Sequence, residues 1–119
     1  VRTAAVALAF GVLLGACGGS SATQPAGSTK VTMTEYHFEP STIGVSSGKA
    51  VFFLVNAGTT SHDMSIRDST GATIAHSDLV SAGDSFVFTV DSIAAGTYTF
   101  FCSQSGHEAA GMKGTLTVS

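Results

Sequence analysis

Charge is scarce in this chain. Asp, Glu, Lys and Arg together make up 11% of its 119 residues, and only five of these are basic. That excludes the cationic footprint a nucleic-acid-binding domain requires. Hydrophobic residues, at 44%, are too many for a disordered chain. Tryptophan is absent, and two cysteines allow one disulfide at most. Long runs of Leu, Glu and Lys are missing, and from Thr29 onward there is no helix-period segment and no internal repeat. The main apolar run, residues 4–16, is shorter than the about 20 residues a membrane-spanning helix needs. What remains is rich in Thr, Val, Ser and Gly, with eight Phe against two Tyr. That balance favours strands over helices.

Short alternating segments follow one another from Thr29 onward. "KVTMTEY" alternates around Val31, Met33 and Glu35. The stretch "TIGVSSGKAVFFLVN" breaks at Ser46-Ser47-Gly48 into a short strand and a near-continuous apolar one. "HDMSIRD" alternates around Met64 and Ile66, while "DSFVFTVD" puts Phe86, Phe88 and Val90 on one face. "GTYTFFC" and "KGTLTVS" complete the set. Strands at this spacing, separated by Gly, Ser and Asp, predict an all-β sandwich or barrel. "SDLVSAG" (77–83) is expected to make one helical turn. Met33 and Met64 read as core, and His37 and His76 as surface residues. A length of 119 residues suits one domain, and the roughly 90 residues from Thr29 can bury a single core.

Chemistry concentrates near the C-terminus. Cys102 closes a strand, Met112 precedes another, and His107 lies in the loop between them. Gly106 and Gly111 each stand before one of these residues, where glycine admits backbone geometry that other residues resist. Upstream, His62 follows a polar loop and opens a strand, and a strand start can meet a strand end at one pole of a sandwich. A thiolate, two imidazoles and a thioether form a soft-to-borderline donor set that suits copper in both oxidation states, with the thioether as a weak axial ligand. Zinc is poorly served by a thioether as its fourth ligand. Taken singly, Cys102 could be a buried structural thiol, His62 a surface or capping histidine and Met112 core filling. No Asp or Asn evidently completes a hydrolase triad with Cys102 and His107.

At these residues the stretch from Tyr98 to Val118 resembles the copper-binding signature of the cupredoxin family. "FEPSTIGVSSGKAVFFLVN" resembles that family's opening strands, so the likeness runs over residues 29–119. It implies a Greek-key β-sandwich of about seven to eight strands that holds one type 1 copper ion. By the same likeness the ligands are His62, Cys102, His107 and Met112. Asp63 falls where the family often has an asparagine that ties the ligand loops together, and Ser103 falls at its hydroxyl partner. The Cys-x4-His-x4-Met spacing departs from that of plastocyanin and of azurin and fits the wider family.

A second resemblance concerns the start of the sequence. Arg2, the apolar run and Leu14-Gly15-Ala16-Cys17 look like a bacterial lipoprotein signal, residues 1–16, cleaved before a lipidated Cys17. Residues 17–28, with "GGSSATQPAGS", read as a flexible tether reaching on the order of 20 Å. Without Arg2 the net charge of −3 becomes about −4, which confers solubility and mild steering toward a cationic surface. Lipidation of Cys17 would leave Cys102 unpaired, an oxidation risk outside the cytoplasm unless the thiol is buried, catalytic or metal-bound.

The expectation is therefore an extracytoplasmic, lipid-anchored, monomeric one-electron carrier. It would cycle copper between two oxidation states and dock redox partner proteins, without binding nucleic acid. His107, beside Ala109, Ala110 and Gly111, would be the electron gateway. Copper storage or delivery is the alternative, though no Met- or His-rich tract offers a transfer path. An enzyme of the copper nitrite reductase kind would need a second metal site, for which only His37 and His76 remain.

Overall fold

The computed structural model describes residues 22–119. The signal-like segment 1–16 and the cysteine at position 17 lie outside the described residues. Within them run nine strands: β1 (Thr29–Thr34), β2 (His37–Glu39), β3 (Thr42–Val45), β4 (Gly48–Asn56), β5 (Ser65–Arg67), β6 (Thr73–His76), β7 (Ser85–Ile93), β8 (Gly96–Phe101) and β9 (Lys113–Val118). They form two sheets, ordered β2-β1-β4-β7 and β3-β9-β8-β5-β6. The described residues are all-β, as their alternation predicts. The count exceeds seven to eight because β2 and β6, of three and four residues, are held by their neighbours rather than by a pattern of their own.

Period-two alternation decides which side chains enter the core. Val31 and Met33 of β1, Phe52 and Leu54 of β4, Phe88 and Val90 of β7, and Leu116 and Val118 of β9 are buried together. β4 is central in its sheet, so Phe53 on its other face is covered as well. Aromatic contacts close the sandwich. Phe38 of β2 meets Phe100 of β8 edge-to-face across the two sheets, with ring centroids 5.1 Å apart, and Phe52 packs on its cross-strand partner Phe88 at 5.9 Å. Burying one such ring contributes about 1.5–3 kcal/mol. Met33 and Met64 are fully buried, and His37 and His76 are exposed.

Strand direction gathers four connections at one pole. Met33 pairs with Asn56 and Val55 with Ser85, so the end of β1, the end of β4 and the start of β7 coincide. In the other sheet Phe101 lies opposite both Lys113 and Ser65, and Ser65 opposite His76. The segments 35–36, 57–64, 77–84 and 102–112 therefore all open at the same end. The 77–83 segment makes no helical turn. It runs extended enough for Val80 to bridge His62, with N···O distances of 2.8 and 3.1 Å in the two directions. Those bonds draw the segment across the sandwich, which a local helical turn would prevent. For the same reason His62 does not open a strand; it sits in this isolated bridge, and β5 begins at Ser65.

The residues that enter β1 are partly laid on the domain. The Ala22 N–H donates to Ser85 Oγ at 2.9 Å, and the Ser85 hydroxyl donates back to the Ala22 carbonyl.

Candidate metal centre

The bridge to Val80 fixes the backbone of His62, and the antiparallel end of β8 fixes Cys102, whose N–H donates to the Met112 carbonyl at 3.1 Å. Between them the 102–112 loop folds on itself. The His107 N–H donates to Gln104 O at 3.0 Å and the Met112 N–H to His107 O at 3.1 Å. Gly106 and Gly111 turn the chain at φ of +79° and +108°, a region that favours glycine. The loop is therefore wound by its own backbone.

Three donor atoms converge there. His62 Nδ1 and His107 Nδ1 are 3.2 Å apart, and Cys102 Sγ lies 3.5 Å from the His107 nitrogen and 3.9 Å from that of His62. Two borderline nitrogens and one soft sulfur around a common point fit copper, which takes such a trigonal His2Cys set with a weak axial sulfur. Among the described residues this is the group of three His, Cys, Asp or Glu side chains with ligand atoms within 4.8 Å of one another. His62 and Cys102 are buried, while His107 is half-buried and flanked by the exposed small residues Ala109, Ala110 and Gly111. Met112 is fully buried at the end of the same loop.

Burial also sets the protonation of the donors. It lowers the pKa of His62, partly opposed by the nearby Glu35 carboxylate, so the imidazole stays neutral and able to donate a lone pair. It raises the pKa of the Cys102 thiol. Beside the thiol, the loops are tied together. Asp63 Oδ1 accepts from the Ser103 N–H at 2.6 Å, and Asp63 Oδ2 accepts from the Ser103 hydroxyl. Arg67 braces the loop's outer side, lying 4.5 Å above the Phe101 ring and pairing with Glu108.

Sequence reasoning missed two residues of this pole. Glu35 lies beyond the end of β1 and not within it. Its carboxylate, lowered to a pKa of about 2 by backbone N–H groups of Thr60 and Thr59, accepts from His62 Nε2 at 3.3 Å. Asn56, nearly fully buried, donates through Nδ2 to the Thr60 and Val80 carbonyls, each at 2.8 Å, and accepts the Gly58 N–H at 2.9 Å. A signal for Glu35 was present: it follows Val31 and Met33 in phase with the inward face, where a carboxylate must find partners.

Comparison with known proteins identifies the family. The model of the Cupredoxin-like domain family matches residues 4–118. A plastocyanin of Scenedesmus fuscus is 38% identical over 87 residues, covering 68% of this chain and 85% of its own length. An azurin of Pseudomonas fluorescens biotype A is 54% identical over 48 residues, 38% of this chain and 37% of the azurin. The reduced auracyanin of Roseiflexus castenholzii superposes with a TM-score of 0.69 at 22% identity, covering 85% of this chain and 99% of that one. That last likeness is one of fold.

Proposed function

The chain belongs to the cupredoxin family, and from that premise we propose that it is a one-electron carrier built on a type 1 copper site. The observation that carries the reading is the convergence of His62 Nδ1, Cys102 Sγ and His107 Nδ1 within 3.9 Å of one another beneath a half-buried imidazole. Those three residues would hold the ion, and Met112, buried at the end of the same loop, would add a weaker sulfur donor. Copper supplies the chemistry, gaining and losing one electron with no substrate bond made or broken.

The protein's part is to hold the donors still and dry. His62 is fixed by its bridge to Val80, Cys102 by the ends of β8 and β9, and the intervening loop by the Asp63–Ser103 contacts. A donor set that does not move between oxidation states limits the reorganisation each transfer requires. His107 is the electron gateway, because small exposed neighbours let a partner protein come close to its ring edge. Storage or delivery of copper is less well supported, since ligands anchored from two loops and two strands release an ion slowly. The reading is tested by cycling copper-loaded protein between oxidation states, with one electron passed per copper and no metal lost.

Met112 tunes this site more than it assembles it. Met112→Leu keeps bulk and apolarity, so stability should fall by less than about 1.5 kcal/mol. Losing the sulfur donor disfavours Cu(II) and raises the reduction potential, whereas Met112→Gln offers a harder oxygen and lowers it. Voltammetry should therefore rank Leu above Met above Gln, with copper retained in all three. Equal potentials would leave Met112 a core residue.

Lipidation at Cys17 would hold the domain at the outer face of a bacterial membrane. The reading rests on Leu14-Gly15-Ala16-Cys17. In a cell fractionation, Cys17→Ala should leave the protein soluble or unprocessed. Processed protein that stays in the membrane fraction would refute the anchor.

A further inference from the structure

We propose that Glu35 is the positioning residue of His62, a carboxylate seated on the 58–60 loop that aims the imidazole and enriches it as a donor. The proposal rests on the copper reading above. Glu35 Oε1 accepts from the N–H groups of Thr59 and Thr60 at 2.7 and 2.8 Å and from the Thr60 hydroxyl at 3.1 Å. That loop is in turn pinned by Asn56. The carboxylate so held meets His62 Nε2 at 3.3 Å, on the ring edge opposite Nδ1. A proton at Nε2, donated to Glu35, leaves the Nδ1 lone pair facing Cys102 and His107. Carboxylate partners of this kind set the tautomer and raise the basicity of a histidine ligand.

Gly58 supplies an independent mark of a built seat. A Cβ at this position would lie 2.6 Å from Glu35 Oε1 and 2.8 Å from Oε2, although Gly58 does not have the left-handed φ that calls for glycine. Space for the carboxylate, and not backbone conformation, is what a side chain at residue 58 would violate. The next residue extends the arrangement to the second imidazole, since the Tyr36 ring stands edge-on to His107 with centroids 4.9 Å apart. One dipeptide beyond β1 thus braces both histidines, Glu35 by a hydrogen bond and Tyr36 by packing.

The test uses Glu35→Gln, Glu35→Ala and Gly58→Ala in the whole protein, with copper as the probe. Glu35→Ala should weaken copper affinity by roughly 10–100-fold, the range for loss of a partner behind a metal-bound histidine. Gly58→Ala, which displaces the carboxylate without removing it, should reproduce most of that loss. The double variant Glu35→Ala/Gly58→Ala should lose no more than Glu35→Ala alone, because both act through one contact. Glu35→Gln keeps an oxygen for His62 Nε2 but drops the negative charge that favours the more highly charged ion. It should retain affinity to within a few-fold while its reduction potential rises, a shift that a purely structural role would not produce.

In the copper-free protein, the His62 Nε2 proton should give a slowly exchanging downfield NMR signal in the unsubstituted and Gln forms, lost or shifted in Glu35→Ala. Normal affinity in Glu35→Ala together with an unmoved potential in Glu35→Gln would overturn the proposal and leave the copper reading standing. Failure of the unsubstituted protein to bind copper would overturn the copper reading. The copper-free NMR signal would then still decide whether Glu35 positions His62, and an identical signal in Glu35→Ala would refute it.

Discussion

Replacing Cys102 by serine is expected to remove the intense visible absorption of the copper-loaded protein completely. The band would arise from charge transfer between the thiolate sulfur and Cu(II), and the same sulfur would be the strongest donor to the ion. A hydroxyl offers a harder, less polarisable oxygen and keeps its proton near neutral pH. The fold should persist, because the side chain is buried between two imidazole nitrogens that can hydrogen-bond a hydroxyl. Near-unchanged circular dichroism together with a colourless copper complex is the outcome to look for. An intense band surviving in Cys102→Ser would mean that another residue supplies the sulfur, and the site as described would be wrong.

A large loss of stability should come from Asn56→Ala. Its side chain makes two donations and one acceptance that join the end of β4 to the 57–64 and 77–84 segments. Its backbone adds a donation to Asp84 O and an acceptance from the Gly83 N–H. Truncation strands the Thr60 carbonyl and the Gly58 N–H and removes one of the two donors to Val80 O. At about 1 kcal/mol for each bond lost, the cost is about 3 kcal/mol. For a domain of this size that lowers Tm by roughly 12–24 °C. Asn56→Asp should be no better, since it keeps an acceptor for Gly58 but turns a second oxygen toward two carbonyls. A fall of less than about 3 °C in Asn56→Ala, below 1 kcal/mol on the same scale, would show that the pole is held together elsewhere. Because the same loop seats Glu35, copper affinity should fall alongside stability.

These two residues differ in how far they could be read from the chain. Cys102, His107 and Met112 share one short loop, so their chemistry is visible as a spacing. His62 could be nominated with them because it begins the next hydrophobic segment after a polar loop. Alternation likewise reveals β1, β7 and β9, in which buried residues fall two apart, whereas β4 shows as a near-continuous apolar run and β8 as the aromatic segment that closes on Cys102. Asn56 gives no such signal. It terminates an apolar run where an asparagine looks like an ordinary turn residue, and its value comes from Thr60 and Val80, the latter 24 positions away. The 77–83 segment is misread for a related reason. Leu79 and Val80 look like part of a helical turn locally, but the bridge from Val80 to His62 outweighs that local preference. Glu35 continues the phase of Val31 and Met33, and only the fold shows that the strand stops at Thr34 and delivers the carboxylate to Thr59, Thr60 and His62.

Two loops and two strand ends thus hold donors at a pole where one imidazole reaches the surface. The direct test is to titrate the metal-free protein with Cu(II), follow the visible spectrum, then reduce and reoxidise it repeatedly while measuring bound metal. Saturation is expected at one copper per chain, with an intense band that bleaches on uptake of one electron and returns in full on reoxidation, with no copper released. A weak band, a stoichiometry other than one, or copper lost at each reduction would contradict it.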